Sequence, residues 1–260
     1  MRSFYLTDVG KVRDHNEDSV IILKNHNNEY ILAVADGMGG HRAGEVASSI
    51  AITYLAHHFQ ESFYNLCKED AITWINDSID SINSKIFNHE KDHPESIGMG
   101  TTLVMALYTK DYLLFGNIGD SSGFILKNNK LHKVTVDHSL VNLLVEAGEL
   151  TEEQAKNHPR KNVLMKALGA SQVVEADIFE CVTDIDGILL ASDGLTNMLE
   201  ISKIESVLNS NEEIEERIVE LIRKANNNGG IDNISVAFLE NDKEVKKWLR
   251  KVKKLMTDMK

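Results

Sequence analysis

The sequence predicts an antiparallel α+β fold, and three observations carry that prediction. Short apolar, β-branched runs bounded by Asp, Gly and Asn recur along the chain. They arrive in consecutive groups separated by blocks of helical periodicity, where a parallel sheet would need strict βαβ alternation. No internal repeat, low-complexity tract or Pro/Gly-rich linker divides the 260 residues. In chain order, residues 4–7, 19–23 and 30–35 read as strands. Residues 45–59 follow as a helix with Val46, Ile50, Tyr54, Leu55 and Phe59 on one side. Residues 71–87 place Ile72, Ile75, Ile79, Ile82 and Ile86 at spacings of three and four, a second amphipathic helix. Strands follow at 102–108, 112–118, 123–127 and 130–136. Asn128-Asn129 joins the last two, because asparagine tolerates the positive φ that a two-residue hairpin turn requires. Segment 137–169 is polar and more helical, a cap beside the main sheet. A strand at 188–191, a helix at 212–225 carrying Ile214, Ile218, Leu221 and Ile222, and a strand at 234–239 complete the body. Beyond them, Val245, Trp248, Leu249, Val252, Leu255, Met256 and Met259 form one stripe of a basic amphipathic helix over 243–260. Docking of that helix on the chain's own body is expected ahead of contact with an anionic membrane.

Composition narrows the functional classes. Hydrophobic residues make up 42% and only two residues are proline, which excludes a disordered or fibrous chain. A net charge of −12 argues against nucleic-acid binding. Residues 243–260 hold eight Lys/Arg against two Asp/Glu, a surplus of six positive charges that leaves −18 on the first 242 residues. A body that acidic repels phosphate unless cations sit in it. No apolar run approaches the ~20 residues that cross a bilayer, and the first ten residues lack the pattern of a cleavable signal, so a cytoplasmic location is expected. Cys67 and Cys181 have neither the company of a disulfide framework nor the spacing of a zinc site, and are expected to be buried free thiols.

The chemistry lies in the placement of aspartates. Asp36, Asp120 and Asp193 each sit just past an apolar strand, while Asp18 and Asp232 sit just before one. In an antiparallel sheet one strand's end lies beside its neighbour's start, so all five can gather at one edge. Asp36 and Asp193 precede glycine, and Gly229-Gly230 lies shortly before Asp232. Any single Asp-Gly reads as an ordinary turn. Five clustered carboxylates repel one another unless a cation neutralises them. All-oxygen ligation suits Mg²⁺, Mn²⁺ or Ca²⁺ and fits Zn²⁺ or Cu²⁺ poorly; the spacing of an EF-hand is absent. Such ions would also make the acidic body attractive to phosphate.

Arg13-Asp-His-Asn-Glu-Asp18, Asp36-Gly-Met-Gly-Gly-His41, Gly98-Met-Gly-Thr-Thr102, Gly119-Asp-Ser121, Asp137-His-Ser139, Ser192-Asp-Gly-Leu-Thr196 and Gly229-Gly-Ile-Asp-Asn233 occur in this order. Together they resemble the motifs of the type 2C (PPM) metal-dependent protein serine/threonine phosphatases, over roughly residues 4–240. His158-Pro-Arg-Lys-Asn162 and Lys166-Ala-Leu-Gly169 resemble the bacterial branch that opposes Hanks-type (PASTA-type) kinases. The resemblance implies a four-layer αββα sandwich of two antiparallel sheets flanked by helices, a catalytic domain over 1–242 and a mobile flap over about 137–169. It implies two or three Mn²⁺ or Mg²⁺ ions. Asp36 would bridge two of them with help from the Gly37 carbonyl, Asp193 and Asp232 would hold the first, and Asp18 the second. Asp120 with Asp193 would hold a third. Glu17 would reach the second metal through water, Asn233 would stand behind the ligands, and Arg13 would grip the substrate phosphate. A hydroxide bridging two metals would attack phosphorus in line, without a phosphoenzyme. The implied partners are phosphorylated proteins and a cognate kinase, with the chain acting as a monomer.

Two departures stand out. Eukaryotic relatives carry a histidine after the first Asp-Gly where this chain has Met38, so the leaving alkoxide takes its proton either from His41 or from a metal-bound water. Gly-Asp-Ser-Arg of the family reads Gly119-Asp-Ser-Ser122 here. Two other classes share these features in part: a catalytically silent phosphoprotein-binding module and a small-molecule phosphoesterase.

Overall fold

The computed structural model describes residues 1–40 and 43–241; His41 and the 243–260 segment lie outside them. In chain order the elements are β1 (Arg2–Asp8), β2 (Asp18–Lys24), β3 (Tyr30–Met38), α1 (Ala43–Ser62), α2 (Lys68–Asp92), β4 (Gly100–Thr101), β5 (Leu103–Tyr108), β6 (Leu113–Ile118), β7 (Ser122–Lys127), β8 (Lys130–Lys133), α3 (Leu140–Glu146), α4 (Glu152–Lys156), β9 (Asp177–Cys181), β10 (Gly187–Ala191), α5 (Asp193–Thr196), α6 (Ile201–Leu208), α7 (Ile214–Asn227) and β11 (Ile234–Glu240). One sheet runs β1-β11-β10-β7-β8 and the other β2-β3-β5-β6-β9, with β4 paired to the end of β3; every pairing is antiparallel.

The central strands are buried on both faces, which is why they read as continuous apolar runs, whereas β1 alternates and leaves Tyr5 exposed. On β3, Leu32 and Val34 face the other sheet and pack with Val104, Phe115, Ile188, Leu190, Ala237 and Leu239. Ile31, Ala33 and Ala35 face the opposite way, onto Leu55, Phe59, Ile75, Ile79 and Ile82 of α1 and α2. Across the molecule, Leu189, Val236 and Phe238 turn outward onto Leu195, Ile204, Ile218 and Leu221 of α5, α6 and α7. Three apolar interfaces stacked in this way make four layers, αββα, as expected. One ion pair is buried at the end remote from the aspartates: Arg217, 1% exposed, meets Glu240 at 2.7 Å and also donates to the Leu208 carbonyl at 2.6 Å.

Asn128 and Asn129 take φ of 52° and 63°, forming the β7–β8 hairpin turn. Several expectations need correction. The strand expected over 130–136 ends at Lys133, because the Thr135 hydroxyl, rather than a further backbone carbonyl, accepts the Gly123 N–H. Of segment 137–169 only α3 and α4 are helical, each capped by a hydroxyl, Ser139 and Thr151; the rest is loop. β9 and α6 carry no expected element: β9 is an edge strand with a weak apolar pattern, and α6 is only eight residues long. Both cysteines are free, but neither is buried. Cys67 is exposed because it caps the start of α2, its Sγ accepting from the Asp70 N–H, and Cys181 is half-buried on the edge strand. Among the described residues no helix is long and apolar enough to cross a membrane.

Candidate metal centre

Antiparallel pairing delivers the aspartates to one rim from both sheets. The β2–β3 register sets Asp18 directly opposite Asp36. Asp36 lies within β3, not beyond it, because the strand continues to Met38 by pairing with β4. β10 and β11 are antiparallel neighbours, so Asp193, just past the end of one, comes beside Asp232, just before the start of the other. Asp193 also opens the single turn of α5. Asp120 follows β6, reached through Gly119 at φ +103°, where a side chain would collide with Thr102.

The surrounding bonds hold this rim rigidly. The Asp36 N–H donates to Thr102 Oγ1 at 3.0 Å, and its carbonyl accepts from Thr101 Oγ1 and the Thr102 N–H at 2.9 Å each. The Gly37 N–H donates to the Glu17 carbonyl at 3.0 Å. A Cβ on Gly37 would lie 2.1 Å from the Gly44 carbonyl oxygen, so only glycine lets α1 begin this close to β3. Asn233 anchors the loop that carries Arg13 and Glu17. Its Oδ1 accepts from the Glu17 N–H at 2.8 Å, and its Nδ2 donates to the carbonyls of Val9 and His15 at 2.9 Å each. Arg13, half exposed, donates to Asp232 Oδ2 at 2.8 Å.

Gathering these acids is electrostatically costly. Burial pushes the Asp18 carboxyl up to about 7, opposed by hydrogen bonding from Ser192 and Ser235 and helped by Asp193 and Asp232. Burial and then the charges of Asp18, Asp193, Asp120 and Asp232 raise Asp36 well above the carboxylate range. Asp120 is pushed up to about 7 by burial and by Asp193, and Asp193 to about 6 by burial and by Asp232. Burial also raises Glu17. Asp18 Oδ1 and Asp193 Oδ1 are buried with no hydrogen-bond partner. Buried polar atoms are nearly always paired, so two open carboxylate oxygens among mutually repelling acids mark a place for a cation. The donors are all oxygen, the chemistry of hard divalent ions. Among the described residues no group of three or more His, Cys, Asp or Glu side chains is already arranged to hold a metal ion.

The rim thus brings Asp18, Asp36, Asp120, Asp193 and Asp232 together, with Glu17, Gly37, Arg13 and Asn233 against them; His41 lies outside the described residues. Sequence reasoning passed over the hydroxyls behind the acids (Thr101, Thr102, Ser192) and His138, whose Nδ1 accepts from the Gly119 N–H at 3.0 Å beside Asp120. Ser192 stands inside a recognised motif. Its partner, 174 residues away, is invisible to local pattern.

This αββα sandwich is shared with solved bacterial serine/threonine phosphatases. The serine/threonine phosphatase of S. agalactiae superposes with a TM-score of 0.87 at 36% identity, over 93% of this chain and 99% of that one. Serine/threonine phosphatase stp of Listeria welshimeri is 43% identical over 243 residues, 93% of this chain and 96% of the relative. Protein phosphatase PhpP of Streptococcus pneumoniae is 37% identical over 92% of this chain and 97% of its own length. Residues 11–250 match the family described as protein phosphatase 2C. The chain belongs to the protein phosphatase 2C family.

Proposed function

We propose that this chain is a metal-dependent protein serine/threonine phosphatase that reverses phosphorylation by a Hanks-type kinase, in the cytoplasm and as a monomer. The observation that carries the reading is the rim of five aspartates drawn from both sheets, with two buried carboxylate oxygens left unpaired. Mn²⁺ or Mg²⁺ is the resident ion, two or three per chain. Asp36, the Gly37 carbonyl, Asp18, Asp120, Asp193 and Asp232 would hold the ions, with Glu17 reaching them through water. When bound, such cations supply positive charge for the phosphoryl oxygens and lower the pKa of a water nucleophile.

The protein's own groups do the rest. Arg13 commits one terminal nitrogen to Asp232 and is otherwise half exposed, so the other N–H groups of its planar fork are free to take phosphoryl oxygens. Its bond to Asp232 orients it, and Asn233 fixes the loop beneath it. The proton for the leaving serine or threonine oxygen comes from a water at the rim or from His41. A phosphorylated protein is the substrate class supported by the similar chains, which are named serine/threonine phosphatases.

The test is hydrolysis of a phosphothreonine peptide, of p-nitrophenyl phosphate and of a panel of phosphorylated metabolites, with Mn²⁺ and with EDTA. Turnover of the peptide in Mn²⁺, its loss in EDTA and its near-complete loss in Asp36→Asn are expected. Full activity of folded Asp36→Asn in EDTA, or turnover of metabolites alone, would overturn the reading.

A further inference from the structure

Ser192 follows β10, immediately before Asp193, at the N-cap position of α5. A serine there ordinarily turns its oxygen onto an N–H of the first helical turn. Ser192 makes no such bond. Its hydroxyl, wholly buried, instead reaches across the sandwich and donates to Asp18 Oδ2 at 2.8 Å. An ionised carboxylate can only accept, so the Ser192 proton goes to Asp18 at 2.8 Å, ahead of the Asn233 carbonyl at 3.5 Å, while the Ser235 N–H donates to Ser192 Oγ at 2.8 Å. The Ser192 N–H in turn donates to the Ser235 carbonyl at 3.0 Å, which clamps Ser192 to β11 by both its backbone and its side chain.

We propose that Ser192 is a positioning residue for the metal centre, holding Asp18 of one sheet at a fixed orientation beside Asp193 of the other. The inference rests on the reading of Asp18 as a metal ligand. With Oδ2 committed to Ser192, the carboxylate cannot rotate freely, and Oδ1 is the oxygen left without a partner. Ser192 is covalently joined to Asp193, so one residue ties a carboxylate from each sheet into a common frame. The frame continues outward: Ser235 Oγ donates to Thr7 Oγ1 at 2.7 Å, Asn16 Nδ2 donates to the same oxygen at 2.8 Å, and Asn16 Oδ1 accepts from the Asp18 N–H at 3.2 Å. Asp18 is thus held through its backbone and through one side-chain oxygen. Groups that orient metal ligands in this way commonly govern affinity by ten- to a hundredfold when removed.

The test is Mn²⁺ binding by the full chain, read by calorimetry and by the rise in melting temperature that saturating Mn²⁺ produces over EDTA. Ser192→Ala should weaken Mn²⁺ binding roughly tenfold and shrink the Mn²⁺-induced rise. Ser192→Thr, which keeps the hydroxyl, should restore affinity. Ser78→Ala is the structural comparison: that hydroxyl is equally buried but bonds the Trp74 carbonyl within α2 and lies 2.9 Å from His58 Nδ1 of α1, and its loss should lower the melting temperature without altering the Mn²⁺-induced rise. Should Ser192→Ala fail to fold, Ser192→Cys keeps the volume with a weak donor and should show the same loss of affinity. Parental Mn²⁺ affinity in folded Ser192→Ala or Ser192→Cys, or an equal Mn²⁺-induced rise in Ser192→Ala and Ser78→Ala, would overturn the proposal. Mn²⁺ binding without any phosphatase turnover would count against the enzymatic reading alone, while a parent chain that binds no Mn²⁺ would overturn both.

Discussion

Replacing Asp18 with asparagine should stabilise the metal-free protein while removing its response to metal. Asp18 is 7% exposed, and its carboxyl is pushed up to about 7, first by burial and then by Asp193 and Asp232. In the unfolded chain an aspartate titrates near 3.9. The native state therefore holds its proton more tightly, and between about pH 4 and 7 the unfolded state releases its proton first. Stability accordingly falls as pH rises through that window and stays low above it. A shift of about three units corresponds to roughly 4 kcal/mol at 1.36 kcal/mol per unit, as an upper bound at pH 8. The neighbouring acids share protons with Asp18, and an asparagine amide placed where Oδ1 now lies must find acceptors among them. A net gain of about 1–3 kcal/mol is therefore expected, which for a domain of this size is roughly 3–10 °C in melting temperature. The asparagine carbonyl can still accept from Ser192. The assay is thermal unfolding in EDTA at pH 5 and pH 8, repeated with Mn²⁺. The variant should melt higher than the parent at pH 8 in EDTA, by a smaller margin at pH 5, and lower than the parent once Mn²⁺ is saturating. No gain at pH 8, or the same gain at both pH values, would refute the argument from buried charge.

Other outcomes follow from single contacts. Arg13→Ala should raise KM for phosphopeptides about ten- to 150-fold, the loss of a charge-assisted phosphate contact of roughly 1.5–3 kcal/mol, with Mn²⁺ affinity nearly unchanged; a collapse of metal affinity at constant KM would make Arg13 a scaffold for Asp232. Arg217→Ala leaves Glu240 with only the Arg2 guanidinium and should cost about 3–5 kcal/mol by denaturant unfolding, a loss that folded protein of parental stability would disprove. Deleting 243–260 should lower the melting temperature if that segment docks on the body, and anionic vesicles should then leave Trp248 fluorescence unchanged in the full chain. A lipid-induced blue shift with an unaltered melting temperature would favour the membrane instead.

Much of the fold was legible because its central strands are buried on both faces. Residues 30–35 read as one apolar run since alternate side chains enter different interfaces, Leu32 and Val34 between the sheets and Ile31, Ala33 and Ala35 under the helices. The β7–β8 turn was legible from two asparagines, because positive φ is a property of the residue itself. So was the position of the five aspartates, since each lies next to a local signal, a strand end or a glycine. β9 escaped because an edge strand buries little and Asp177–Cys181 shows a weak pattern. Cys67 was misplaced because composition says that free thiols tend to be buried, whereas the start of α2 required an exposed cap.

The sequence by itself determined which residues could meet a cation and at which strand ends they stand, because spacing and residue type are local quantities. Only the tertiary structure decided how those residues are held. That Ser192 spends its one proton on Asp18, that Asn233 pins the loop bearing Arg13, and that Arg217 is buried against Glu240 all depend on partners 23 to 218 residues apart. Such pairs are selected when two sheets and their helices pack face to face, and the driving force for that packing, burial of apolar surface, is indifferent to which polar groups it brings into register. The register of the strands makes that selection, and it exists only once the layers have closed.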